Sequence, residues 1–113
     1  MIFYGLKTCD TCRKAQKEMR TANIDFDAVD VRADGVSVDK LKQWTNKVDW
    51  KKLLNTRSTT WRNLDAGDKD GIDEAKAITL MAENPTLIKR PVIELDEDVL
   101  VGWTAQTKAR LGL

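Results

Sequence analysis

Two cysteines, Cys9 and Cys12, stand three residues apart where a short apolar run gives way to a helix-favouring stretch. Thiols at that spacing can do nucleophilic or redox chemistry, or contribute to a metal site. Cys9 falls just before or at the first helical turn, where free backbone N–H groups and the helix dipole favour a negative charge. Such a position lowers a thiol from its free value of about 8.5 and raises the thiolate fraction at neutral pH. Arg13, four residues on, and Lys7 add positive potential. Cys12 lies one turn further along nearly the same face, within reach of a mixed disulfide on Cys9. Burial of both as small apolar side chains fits Cys9 less well, since Cys9 precedes the apolar face.

The chain has no histidine and no further cysteine. Ser-His-Asp and Cys-His catalysis therefore lack their base, and two thiolates alone make a poor zinc site. No metal is expected. Arg57, Arg62 and Arg90 carry forked donors suited to an oxyanion or a carboxylate. Taken singly, each reads as a solvated surface residue before a binding one; Arg90 stands out because it precedes Pro91 at a strand opening. Trp44 and Trp50 are expected to pack in a core, and Trp61 to pack or line a groove.

The elements that must position these residues follow from periodicity. Ile2-Phe3-Tyr4 predicts a first strand halted by Gly5. Asp10 or Thr11 to Ala22 predicts a helix with Cys12, Ala15, Met19 and Ala22 on one face, stopped at Asn23. Phe26, Ala28, Val29 and Val31 predict a second strand through Asp30, which makes a βαβ unit with parallel pairing and a right-handed crossover. Asp34-Gly35 marks a turn. Ser37 caps a helix carrying Val38, Leu41 and Trp44 inward, and Asp49 caps a short one holding Trp50, Leu53 and Leu54. Asn55 to Asn63 reads as irregular and Asp65 to Gly71 as an exposed loop. Ile72 to Glu83 predicts a helix with Ile72, Ala75, Ile78 and Ala82 on one side, ended by Asn84-Pro85. Pro91 to Leu95 and Val99 to Val101, around Asp96-Glu97-Asp98, predict a β-hairpin, and Thr104 caps a terminal helix ending near Gly112. The order βαβ, helices, ββα predicts an α/β fold with a mixed sheet.

The bulk numbers set the frame. At 113 residues, 42% hydrophobic and 33% charged, the chain fits a single domain, 1–113, rather than a disordered segment. A net charge of +1 gives no global field for nucleic acid or an anionic membrane, and neither is expected as a partner. No secretory leader or membrane-spanning stretch is visible, and a Cys pair closing so small a loop is a poor scaffold staple, so the expected compartment is the cytoplasm.

Three blocks in order carry a resemblance: Tyr4-Gly5-Leu6-Lys7-Thr8-Cys9-Asp10-Thr11-Cys12-Arg13-Lys14-Ala15, Leu53-Leu54-Asn55-Thr56-Arg57-Ser58, and Asn84 to Ile93 around Arg90-Pro91. With Val101-Gly102-Trp103, they make the sequence resemble the ArsC/Spx family, and most its YffB-type branch. The resemblance spans essentially the whole chain. It implies a thioredoxin-like fold with a helical insertion over about 33–85 and a cis bond before Pro91 facing the active cysteine. It also implies a thiol reductase similar to arsenate reductases, with Cys9 as nucleophile and either Cys12 or a second thiol resolving the intermediate. Glutathione would be the co-substrate, held by Arg13, Arg57, Arg90 and the strand opening at Pro91, with no bound cofactor. The arginine at 57 is shifted relative to the arsenate-binding one, and Trp103 stands where those enzymes carry a further arginine. Arsenate reduction proper is therefore the alternative. So is an Spx-like redox-sensing regulator that binds RNA polymerase, although Asp49 occupies a position where such regulators have glycine.

Overall fold

A computed structural model describes residues 1–113, which divide into two compact units, 1–34 with 90–113, and 35–89. The first unit carries a four-stranded sheet in the order β2-β1-β3-β4. Its strands are β1 (Ile2–Gly5), β2 (Asp27–Asp30), β3 (Val92–Leu95) and β4 (Asp98–Val101). β1 runs parallel to β2, with Phe3 opposite Ala28, and antiparallel to β3, with Phe3 opposite Ile93. The sheet is mixed, as the βαβ and ββα halves require. The architecture is α/β and thioredoxin-like.

The crossover helix α1 (Asp10–Thr21) begins and ends where the sequence indicates. Asn23 takes a left-handed backbone, φ 60°, which stops it. Cys12, Ala15 and Met19 are buried against Phe3 and Ile93, while Ala22, expected on the same face, is exposed at the C-cap. Each large side chain fully buried there contributes about 1.5–3 kcal/mol. Phe26 packs at the margin, its ring 5.6 Å from that of Phe3.

Space is short where β1 meets α1. A Cβ added to Gly5 would lie 2.8 Å from Cys12 Sγ and 2.9 Å from Phe3 Cε1. Glycine is needed here for room. Gly5→Ala is expected to lower stability by about 1–3 kcal/mol through overpacking. The check is a lower urea midpoint with an unchanged slope.

Val31 does not extend β2. It is the buried first residue of a single helical turn, α2 (Val31–Asp34). The Asp30 carboxylate accepts the N–H groups of Arg32 at 2.9 Å and Ala33 at 3.0 Å, and this local capping outweighs the β preference of valine. The hairpin turn is tighter than expected, because Asp98 already pairs with Leu95. Asp96 takes φ 55°, a conformation that aspartate tolerates better than most residues. The terminal helix α8 (Ala105–Arg110) is capped by Thr104, whose hydroxyl accepts the Thr107 N–H.

The second unit is helical: α3 (Val38–Thr45), α4 (Trp50–Leu53), α5 (Thr59–Arg62), α6 (Ala66–Lys69), α7 (Glu74–Glu83) and a 3₁₀ turn, Pro85–Leu87. Ser37 and Asp49 cap as expected. Leu41 and Trp44 are buried, but Val38 is exposed and Trp50 only half-buried. Two segments read as irregular hold helical turns: α5, capped by the Ser58 hydroxyl, and α6. Lys76 Nζ braces the α6 segment through the carbonyls of Gly67 at 2.8 Å and Asp70 at 2.6 Å. α7 starts later than expected, after its Asp73 cap, and buries Ala77, Ile78, Leu80 and Met81; Ala75 and Ala82 are not buried. An antiparallel bridge joins Leu54 to Ile88.

Candidate functional site

Cys9 is the N-cap of α1, half-buried, with an extended backbone that turns the chain from loop to helix. Its carbonyl accepts the Arg13 N–H at 3.0 Å, the first helical bond. Partial burial alone would raise this thiol. The Cys12 backbone N–H, the Cys12 thiol and the Arg90 guanidinium outweigh that effect and hold it below its ordinary value. The Cys12 N–H does this without closing a formal capping bond to the sulfur.

Cys12 behaves oppositely. It is 1% exposed, and burial pushes its thiol up to about 11. The Leu6 backbone N–H lowers it, but the charge and hydrogen bonding of Cys9 raise it further. Of the two thiols Cys9 therefore ionises first, with Cys12 kept protonated beside it. Titratable groups pushed apart in this way are candidates for a nucleophile and its partner.

Arg90 and Pro91 come from the far end of the sequence. The Arg90–Pro91 bond is cis, as expected, and Pro91 is buried. The Pro91 carbonyl accepts the Gly102 N–H at 2.8 Å, closing the open end of the hairpin. Arg90, rather than Lys7 or Arg13, is the cation whose charge reaches both thiols. The side chain of Arg13 is turned to the loop. Its Nε donates to the Lys7 carbonyl at 2.8 Å, and its terminal nitrogens stay at the surface, 3.8 Å from Asp10.

Arg57 lies in the helical unit, exposed, on a turn where its N–H donates to Asn55 Oδ1 at 3.0 Å. Arg62 ends α5 and is exposed. Trp103 is tied to α1: its indole N–H donates to Glu18 Oε2 at 2.7 Å, with Lys108 Nζ 5.6 Å from the ring centre. Trp61 is half-buried under Lys69 Nζ, 5.5 Å from its ring.

Sequence reasoning missed two partners of this region. Tyr4 donates its hydroxyl to Glu94 Oε1 at 3.0 Å. Burial and that carboxylate push the phenol up to about 12, so it is no base at neutral pH. Asp30 accepts the Lys7 N–H at 3.1 Å and so fastens the loop before Cys9. The signal for Asp30 was an aspartate at a strand end, a position suited to capping; its reach to Lys7 had no local signal. No group of three or more cysteine, aspartate or glutamate side chains gathers in a metal-binding arrangement. No helix is long and apolar enough to cross a membrane.

The ArsC family profile matches residues 4–110. An uncharacterized protein of Haemophilus influenzae is 46% identical over 100 residues, 88% of each chain. The global transcriptional regulator Spx of Lactiplantibacillus plantarum is 25% identical over 105 residues, 91% of this chain and 79% of the regulator. Among solved structures, a YFFB protein superposes with a TM-score of 0.92 and 39% identity, covering 97% of this chain and 96% of its own.

Proposed function

On the premise that the chain belongs to the ArsC family, we propose that it is a thiol reductase acting through the Cys9 thiolate, with glutathione as co-substrate. The observation that carries the reading is the split pair: Cys9 held down beside Arg90, and Cys12 held up beneath it. The Cys9 thiolate attacks one sulfur of a disulfide; the new S–S bond forms as the old one breaks, and the leaving thiolate takes a proton from solvent. Cys9 then carries no charge, and the part of the Cys12 shift due to that charge disappears. Cys12 becomes easier to ionise just when a second nucleophile is needed. Its thiolate attacks Cys9, expels the remaining half of the substrate as a thiol, and leaves a Cys9–Cys12 disulfide. Two glutathione molecules reduce that bond and leave as glutathione disulfide.

In this reading the exposed terminal nitrogens of Arg13 bind a glutathione carboxylate, Arg57 is a further candidate, and the backbone at Pro91 pairs with the tripeptide. The direct test is mass spectrometry of intact Cys12→Ser protein after incubation with oxidised glutathione. The expected result is one glutathione adduct, on Cys9. Reaction of Cys9 with small alkylators but with no glutathione adduct would remove glutathione from the scheme.

The likeness to the Spx regulator supports a second reading, in which oxidation of the same pair switches a protein-binding surface. RNA polymerase would be the partner. Redox-dependent capture of purified RNA polymerase, without turnover of any disulfide, would favour it over the enzyme. Arsenate is expected to be a poor substrate for either form, because each missing charged donor to a bound oxyanion costs about 1.5–3 kcal/mol. Coupled arsenate turnover is the check.

A further inference from the structure

The loop that presents Cys9, between β1 and α1, is held mainly through one residue. Its own backbone contributes the Cys9 N–H bond to the Leu6 carbonyl at 3.2 Å. Lys7 is gripped on both sides of its backbone. Its N–H donates to Asp30 Oδ2 at 3.1 Å, and its carbonyl accepts from Arg13 Nε at 2.8 Å. Those two side chains come from different elements, the end of β2 and the first turn of α1.

Asp30 divides its carboxylate. One oxygen, Oδ1, caps α2 through the Arg32 and Ala33 N–H groups, and the other reaches the loop. The backbone N–H groups of Ala33, Lys7 and Arg32, with the Lys7 ammonium, hold this carboxyl below its usual range despite its small burial. It therefore stays a charged acceptor throughout the neutral range. A cap of α2 alone would need only Oδ1. The bond from Oδ2 to the loop is the part that local structure does not require.

We propose that Asp30 is a positioning residue for Cys9: its carboxylate, opposed by Arg13 Nε, clamps the Lys7 peptide and fixes Cys9 at the N-cap of α1. The clamp matters because the groups acting on Cys9 do so over short distances. They are the Cys12 N–H and thiol from α1 and the Arg90 guanidinium from the β3 side. The same loop aims the Leu6 N–H at Cys12. Releasing Lys7 lets Cys9 drift from these groups. The proposal rests on Cys9 being the reactive thiol.

The sign of the effect separates positioning from simple electrostatics. Deleting a negative charge near a thiol, with nothing else changed, makes the thiol easier to ionise. Loosening the clamp makes it harder. The experiment is the pH dependence of iodoacetamide alkylation, read at Cys9 by fragment mass spectrometry. It is run on wild type, Asp30→Asn, Asp30→Ala and Arg13→Gln, with Asp27→Asn at the other end of β2 as a charge-matched control. Asp30→Ala is expected to move the Cys9 profile to higher pH and slow alkylation at pH 7 by about three- to tenfold, following the thiolate fraction. Asp30→Asn, which keeps an acceptor, should fall between, Arg13→Gln should shift in the same direction, and Asp27→Asn should match wild type. A purely structural role would lower the melting temperature and leave the profile in place.

Folded Asp30→Ala with a wild-type or downward-shifted profile overturns the proposal. If that variant does not fold, unchanged profiles in Asp30→Asn and Arg13→Gln overturn it equally. An ordinary thiol profile in wild-type protein would remove the thiolate reading itself. A low wild-type profile that Asp30 does not affect removes only the clamp.

Discussion

Cys9→Ser is expected to abolish disulfide turnover, a loss on the order of 10³-fold or more, while Cys12→Ser keeps the first chemical step. The asymmetry follows from where each sulfur sits. Cys9 is half-exposed at a helix start and lowered, whereas Cys12 is 1% exposed and held at about 11. At neutral pH nearly all the thiolate of the pair is therefore on Cys9. The measurement is release of a chromogenic thiol from a small aromatic disulfide. A single-turnover burst should survive in Cys12→Ser and vanish in Cys9→Ser. Limiting alkylator at neutral pH should label Cys9 first. Preferential labelling of Cys12, or a burst in Cys9→Ser, would reverse the two roles.

Arg90→Ala is the other large effect. The guanidinium acts on Cys9 both as a hydrogen-bond donor and as a charge. Its loss should raise the Cys9 thiol and slow its reaction at pH 7, by at most about tenfold for each unit the profile moves. Arg90→Lys should recover part of the rate, since it keeps the charge and gives up the fork. Stability carries the same signature. A thiol lowered on folding contributes stability above its unfolded value, and that contribution fades as pH falls through the folded value. The Cys9 part of this dependence should shrink in Arg90→Ala. An alkylation profile identical to wild type would mean that Arg90 does not act on Cys9.

Much of this architecture is legible in the sequence because it rests on local signals. The 12, 15, 19 spacing fixes the buried face of α1, and Ser37, Asp49 and Thr104 announce the helices they cap. What was missed depends on longer reach. Val31 looks like a strand residue until Asp30 caps the turn that begins with it. The α7 face was displaced because the helix is mostly apolar and several registers fit it. α5 and α6 are single turns, too short to show a period. At the site, the cysteines and the Arg90-Pro91 opening were visible. Arg13 was expected to act through its charge, yet its Nε holds the Lys7 carbonyl. No pattern within one segment could show that the cation serving Cys9 lies beyond the entire helical unit.

That separation bears on how the protein is made. β1 pairs on one side with β2, which follows soon after it, and on the other with β3; the Tyr4–Glu94 hydrogen bond spans a separation of 90 residues. Synthesis runs from the N-terminus, and long-range pairings close late. As the chain leaves the ribosome, β1, α1 and β2 can assemble while Arg90 and β3 are still absent. In that interval Cys9 has the helix start with the Cys12 N–H and thiol, but not the guanidinium. The Arg90 contribution to the Cys9 thiol therefore joins only with the last strands, after the βαβ half that carries both cysteines.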